Sequence, residues 1–166
     1  EQVDQQAWES IGENQDLYVP MDDAMGKASS FALGVALARP DRRVMVLDTD
    51  GSLIANLGSL VTIAGKAPKN FYHLVVETGT YTGIGGQPIP NAGRTSFADL
   101  ARAAGYAAAY EFDDFEEFSI LAGEVLHAEG PVLVCLKVVP EMPSAPISHH
   151  SHGMKEGMET VRATLA

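Results

Sequence analysis

Apolar positions in this chain follow two alternating periods. Compact apolar runs of strand length occur at 44–48 (VMVLD), 72–77 (YHLVVE), 106–110 (YAAAY) and 132–138 (VLVCLKV), with a short one near 17–19 (LYV). Between them, helical spacing predicts helices at about 25–38, 53–65, 96–104 and 114–128. Strands that read as continuous apolar runs and alternate with helices predict an α/β chain with a three-layer α/β/α arrangement around a mostly parallel sheet. Ser96 followed by Asp99, and Asp113 followed by Glu116, have the spacing of capping boxes, and Gly105 and Gly130 stand where helices should stop.

Two features depart from plain alternation. The first predicted helix, MGKASSFALGVALARP, carries Gly26, Ala28, Ala32, Gly34, Ala36 and Ala38, small residues that let its backbone approach a sheet or a bound molecule closely. The Gly-rich stretch ETGTYTGIGGQPIPNAGRTS at 77–96 is long for a connection inside one α/β domain, and such loops tend to carry function.

Composition narrows the class. With 166 residues and 46% hydrophobic content, the chain can fill one ordinary core. Eleven Lys and Arg against 22 Asp and Glu give a net charge of −11, which argues against a phosphate-backbone footprint and so against nucleic acid. No run approaches the roughly 18 apolar residues of a membrane span, and EQVDQQAWES is not signal-like, so a soluble, cytoplasmic protein with no membrane partner is expected. The chain opens without Met, which is compatible with a processed, trimmed or partial product. The single Cys135 excludes an internal disulfide and reads as a core thiol.

The candidate chemistry begins where the 44–48 run meets Asp48-Thr49-Asp50-Gly51-Ser52 and a helix starts at once. Such a turn puts carboxylates and free N–H groups at the carboxyl edge of a sheet, where open α/β sheets bind anions. A carboxylate repels phosphate unless a hard cation such as Mg²⁺ lies between them. Spacing alone leaves two readings open, a metal-and-phosphate site or an acidic turn that only caps the helix. Neither Gly-x-Gly-x-x-Gly nor a Walker loop is present after a strand.

Beyond spacing, MGKASSFALGVALARPDRRVMVLDTDGSLIANLGSLVTIAGKAPKNF and TGIGGQP resemble the diphosphate-binding domain of thiamine-diphosphate enzymes, most closely the phosphonopyruvate and sulfopyruvate decarboxylase group, from about Asp16 to Val139. That family's signature is Gly-Asp-Gly and, further along, Asn-Asn; here the positions read Thr49-Asp50-Gly51 and Glu77-Thr78. The resemblance implies the thiamine-diphosphate-binding fold, with thiamine diphosphate and Mg²⁺ as cofactors. It makes Asp50 a Mg²⁺ ligand, has Gly51 and Ser52 offer N–H or hydroxyl groups to phosphate, and puts Thr78 in the place of the metal-binding Asn and Thr80 where a carbonyl completes the shell. It also matches Asp23-Ala24-Met25-Gly26 to Gly-Ser-Met-Gly, so that the carbonyl of Asp23 would receive the cofactor's 4′-amino group and Met25 would prop the cofactor into its bent form. Tyr81, in the Gly-rich loop, joins the expected cofactor-binding set, and Gln87 is a substrate-contact candidate beside it. Asp23 replaces Gly, Lys27 stands where relatives tend to carry His, and ETG replaces DNE at 77–79.

The implied activity is decarboxylation of a small anionic 2-oxo acid, with another carboligase or 2-oxo acid enzyme subunit, a non-catalytic assembly subunit and an unrelated nucleotide-binding module as alternatives. No pyrimidine-binding domain is visible, so the activating glutamate is expected on a partner chain, in a hetero-oligomer with at least two copies of each. The expected division is an N-terminal extension at 1–15, the cofactor domain at 16–140 and a tail or lid at 141–166. In that tail His149, His150 and His152 read as surface, while Met154, Met158, Val161 and Leu165 have helical spacing. His73 reads as structural and Arg94 as a loop arginine without a substrate role.

Overall fold

The computed structural model describes residues 15–21, 24–81, 84–139 and 153–165. Asp23, His149, His150 and His152 lie outside the described residues. Four strands, β1 (Val44–Thr49), β2 (Phe71–Glu77), β3 (Ala108–Phe112) and β4 (Val132–Lys137), form a parallel sheet in the order β1-β2-β4-β3. The described helices are α1 (Ala28–Ala38), α2 (Asp50–Ala55), α3 (Ser59–Lys66), α4 (Phe97–Ala104), α5 (Phe115–Val125) and α6 (Met154–Leu165), with a 3-10 turn at Gln15–Leu17.

The sheet has helices on both faces, as the continuous apolar strands require. On one face α1, α3 and α4 close over Val46, Phe71, Val75, Leu133 and Ala109, with Phe71, Ile63 and Phe97 fully buried. Each such side chain contributes about 1.5–3 kcal/mol of burial. The alanines Ala28, Ala32 and Ala36 are buried in the same core, so the small-residue helix does pack tightly on its neighbours. On the other face α5 covers Tyr72, Leu74, Val132 and Val134 through Phe118 and Leu121. Register places Met45 beside Tyr72 and Leu47 beside Leu74 on this second face, and at edge strand β1 both remain exposed.

Several boundaries differ from the sequence expectation for identifiable reasons. Residues 17–19 form no strand: Leu17 ends the 3-10 turn, and Pro20, which lacks a ladder N–H, follows at once. The helix expected from 25 begins at Ala28, because Gly26 has φ +75° and belongs to a turn closed by Lys27 N–H on Ala24 O. The third strand starts at Ala108 instead of 106, since the Tyr106 N–H is taken by Ala101 O where Gly105 (φ +104°) ends α4. Asp114, not Asp113, caps α5 by accepting from Glu117 N–H at 2.9 Å. Gly130 does not stop α5, which ends at Val125; a Cβ there would stand 2.7 Å from Phe71 O, so the site demands close backbone approach. Ser96 accepts from Asp99 N–H at 3.1 Å, as its spacing predicts.

α6 lies against the segment that leads toward α1. A Cβ on Gly157 would meet Pro20 Cδ at 2.7 Å and Tyr18 O at 3.3 Å, and Arg39 donates to Leu165 O at 2.7 Å. Gly157→Leu should therefore cost about 1–3 kcal/mol locally by overpacking. Limited proteolysis is expected to release the C-terminal helix faster while the main thermal transition stays in place. Among the described residues no helix is long and apolar enough to cross a membrane.

Candidate functional site

At the carboxyl edge of the sheet, β1 turns directly into α2 because Thr49 acts as its N-cap: its backbone is extended (φ −113°, ψ 158°) and its Oγ1 accepts from Ser52 N–H at 3.3 Å. The cap leaves Asp50 as the first helical residue, fully buried, and a buried carboxylate needs partners. It has three: Oδ1 accepts from Gly51 N–H at 2.8 Å, and Oδ2 accepts from Thr78 N–H at 2.9 Å and Gly79 N–H at 2.6 Å. Asp50 thus ties the end of β1 to the end of β2.

Beyond β2, the Thr78 hydroxyl donates to Thr80 O at 3.0 Å. The turn at 78–80 thus holds the Asp50 carboxylate through its N–H groups and carries a hydroxyl and a carbonyl oxygen of its own, and these three are hard donors of the kind Mg²⁺ takes. The 3.0 Å between the Thr78 hydroxyl and the Thr80 carbonyl equals the separation of neighbouring oxygens at ~2.1 Å on an octahedral ion, about 3.0 Å. The residues present fit a small divalent cation.

The described residues of the Gly-rich stretch are tied together by backbone hydrogen bonds. Tyr81 N–H donates to Gln87 O at 2.8 Å, Ile89 N–H donates to Gly79 O at 3.0 Å, and buried Ile89 anchors the return. This places the Tyr81 ring on Gly51, where an added Cβ would stand 2.7 Å from Tyr81 Cδ1. Gln87 and Arg94 are exposed. On the other side of α2, Gly26 N–H donates to Ser52 Oγ at 3.0 Å, and Met25 beside it is exposed. The structure therefore brings Ala24, Met25, Gly26, Asp50, Gly51, Ser52, Thr78, Thr80 and Tyr81 to one end of the sheet. The N–H groups of Gly51 and Ser52 are engaged within the turn, whereas the Ser52 hydroxyl, which accepts from Gly26, keeps its own proton to donate.

Two polar clusters lie on the same sheet, the first buried throughout and the second buried at Cys135 and Glu77. His73 is enclosed between Asp48 Oδ2 (3.3 Å from Nε2) and the Tyr106 hydroxyl (3.3 Å from Nδ1). Its structural role matches the sequence expectation, but nothing in the local pattern named its partners. Burial, and then the charge of Asp48, push the Tyr106 phenol far above its ordinary range. In the second cluster, Cys135 donates to Glu77 Oε2 at 3.2 Å, and Glu111 is held by Ser96 and Lys137. Glu77 thus has a thiol partner that spacing did not reveal; the signal was the strand register, which sets Cys135 beside Val75 and Lys137 beside Glu77. Desolvation, and then the Glu77 hydrogen bond and charge, drive the Cys135 thiol far above its usual range. The group stays protonated and poorly nucleophilic, so alkylation of the native protein at pH 8–9 should be negligible over times that fully label the unfolded chain, as mass spectrometry can read.

Residues 18–136 match the family described as thiamine pyrophosphate enzyme, C-terminal TPP binding domain. The chain belongs to this family. Within it, phosphonopyruvate decarboxylase from Streptomyces viridochromogenes is 37% identical over 128 residues, covering 77% of this chain and 32% of the relative. Sulfopyruvate decarboxylase subunit beta from Methanocaldococcus jannaschii is 33% identical over 117 residues, covering 70% of this chain and 61% of the relative. The chain thus spans about a third of the former's length and about three-fifths of the latter's. The fold also matches a solved structure described as a putative thiamin diphosphate-dependent enzyme from Mycobacterium smegmatis, with TM-score 0.59 and 20% identity over 71% of this chain and 23% of the other.

Proposed function

We propose that this thiamine-diphosphate-binding domain supplies the diphosphate and Mg²⁺ half of the active site of a 2-oxo acid decarboxylase. The observation that carries the reading is the docking of the turn that bears the Thr78 hydroxyl and the Thr80 carbonyl onto the buried Asp50 carboxylate at the start of α2. These three would hold Mg²⁺, and the ion would balance the cofactor's diphosphate against a chain of net charge −11. The Ser52 hydroxyl would donate to a phosphate oxygen, and the Tyr81 ring on Gly51 would shield the site from water. Ala24 and Met25 stand on the far side of α2, where exposed Met25 would support the cofactor's central bend against the pyrimidine, with Asp23 two positions before it in sequence. Thiamine diphosphate supplies an electron sink for the pair left behind when a 2-oxo acid releases CO₂.

The relatives' names, phosphonopyruvate decarboxylase and sulfopyruvate decarboxylase subunit beta, support a small anionic 2-oxo acid as substrate and a separate partner subunit. The partner would carry the pyrimidine-binding domain and its activating glutamate, so the chain alone should bind the cofactor and not turn over. The test is calorimetric titration of thiamine diphosphate with and without Mg²⁺, followed by CO₂ release from sulfopyruvate and phosphonopyruvate with a co-encoded pyrimidine-domain subunit added. Mg²⁺-dependent binding, with turnover only in the mixture, is the expected result. Absence of binding in both settings would favour an assembly role, and preferential binding of adenine nucleotides would refute the assignment.

A further inference from the structure

The helix expected over 53–65 is broken in two, and the break falls at Asn56. Asn56 leaves helical geometry (φ −144°, ψ 49°), and its carbonyl accepts from Ser59 N–H at 2.9 Å as the chain turns into α3. The consequence is the direction of its side chain, which donates from Nδ2 to Gly26 O at 2.8 Å and to Ser30 Oγ at 3.3 Å. The N–H of Gly26 is meanwhile held by Ser52 Oγ at 3.0 Å. Both polar groups of one peptide residue are therefore fastened to α2 and its end, 26 and 30 positions away in sequence. The fit is close: at φ +75°, a Cβ on Gly26 would stand 3.2 Å from Asn56 Cβ, 3.3 Å from Ala55 Cβ and 3.3 Å from Ser52 O.

We infer that Asn56 is a positioning residue that fixes the separation between the diphosphate-metal end of the ligand site and its pyrimidine end. The inference rests on the proposed reading that Asp50 to Ser52 face the diphosphate and Ala24 and Met25 face the pyrimidine. Ser52 belongs to the diphosphate turn and holds only the Gly26 N–H, so in the turn closed by Lys27 N–H on Ala24 O the Gly26 carbonyl would still be free to rotate against α2. The Asn56 bond supplies the second point and stops that rotation. A ligand with both ends gains from the two-point attachment; one with only the diphosphate does not.

Asn56→Asp keeps size and shape but removes the amide donor and turns a carboxylate oxygen toward the Gly26 carbonyl. In the full chain with Mg²⁺, it should weaken thiamine diphosphate about tenfold, the scale of one lost hydrogen bond, and leave inorganic pyrophosphate within about twofold. Asn56→Ala should follow the same pattern, while Ser30→Ala should leave both affinities unchanged. Calorimetry gives the two affinities, and circular dichroism with thermal melts confirms that each variant is folded. Equal weakening of both probes, or of neither, would overturn the role of Asn56. A wild-type chain that binds neither probe overturns instead the reading on which the inference rests.

Discussion

Asp50→Ala is expected to abolish measurable Mg²⁺-dependent binding of thiamine diphosphate, with a loss of at least about 100-fold, beyond what removing an outer partner of a metal ligand typically costs. The substitution deletes the one charged member of the donor set and releases the N–H groups of Gly51, Thr78 and Gly79, which hold the ends of β1 and β2 together. Unpaired donors of this kind cost about 1–3 kcal/mol each when they stay dry, so the variant should also melt earlier. Asp50→Asn separates the two effects. Its carboxamide keeps one oxygen to accept from Thr78 and Gly79 but turns an NH₂ toward the Gly51 N–H, so it should lose less stability than Asp50→Ala and still fail to bind. In wild type, ligand at 100 times its Kd should add ~2.7 kcal/mol to stability, a shift in Tm that both variants should lack. If Asp50→Asn gains the full ligand-induced shift in Tm, the carboxylate is not the metal ligand.

The second large effect is on folding. His73→Leu removes the side-chain partner of a carboxylate that is itself buried, leaving Asp48 Oδ2 without its imidazole and the Tyr106 hydroxyl without Nδ1. Each buried polar group left without its hydrogen-bond partner costs about 1–3 kcal/mol, and two such groups together take a large share of the stability of a domain this size. Urea denaturation should show a strongly lowered midpoint at unchanged slope. The double variant Asp48→Leu, His73→Leu should recover much of the loss, because the orphaned carboxyl group goes with the imidazole. A single-variant cost under about 1 kcal/mol would mean that water reaches Asp48 and the cluster is not closed.

Sequence periodicity carried the four long strands and the sheet class because parallel strands buried on both faces read as apolar runs, as β2 and β4 do. It misplaced starts and stops where a single residue decides: Gly26 by its positive φ, Asp114 by which carboxylate reaches Glu117, and Asn56 by ending one helix and opening another. That Asp50 would lie beside Thr78 was legible only from resemblance to a family, and the bond from Thr78 N–H to the Asp50 carboxylate shows how two residues 28 positions apart meet. The partners of His73, Glu77 and Gly26 were not legible. Each depends on cross-strand register or on contacts between segments 25 or more residues apart, which hydropathy does not encode.

The most direct measurement is anomalous scattering from crystals grown with thiamine diphosphate and Mn²⁺ in place of Mg²⁺. A single manganese peak bonded to Asp50, the Thr78 hydroxyl and the Thr80 carbonyl, at metal–oxygen distances of about 2.0–2.3 Å and bridging to the diphosphate, is the predicted result. A diphosphate bound elsewhere, or a manganese peak with none of these three oxygens in its shell, would contradict it.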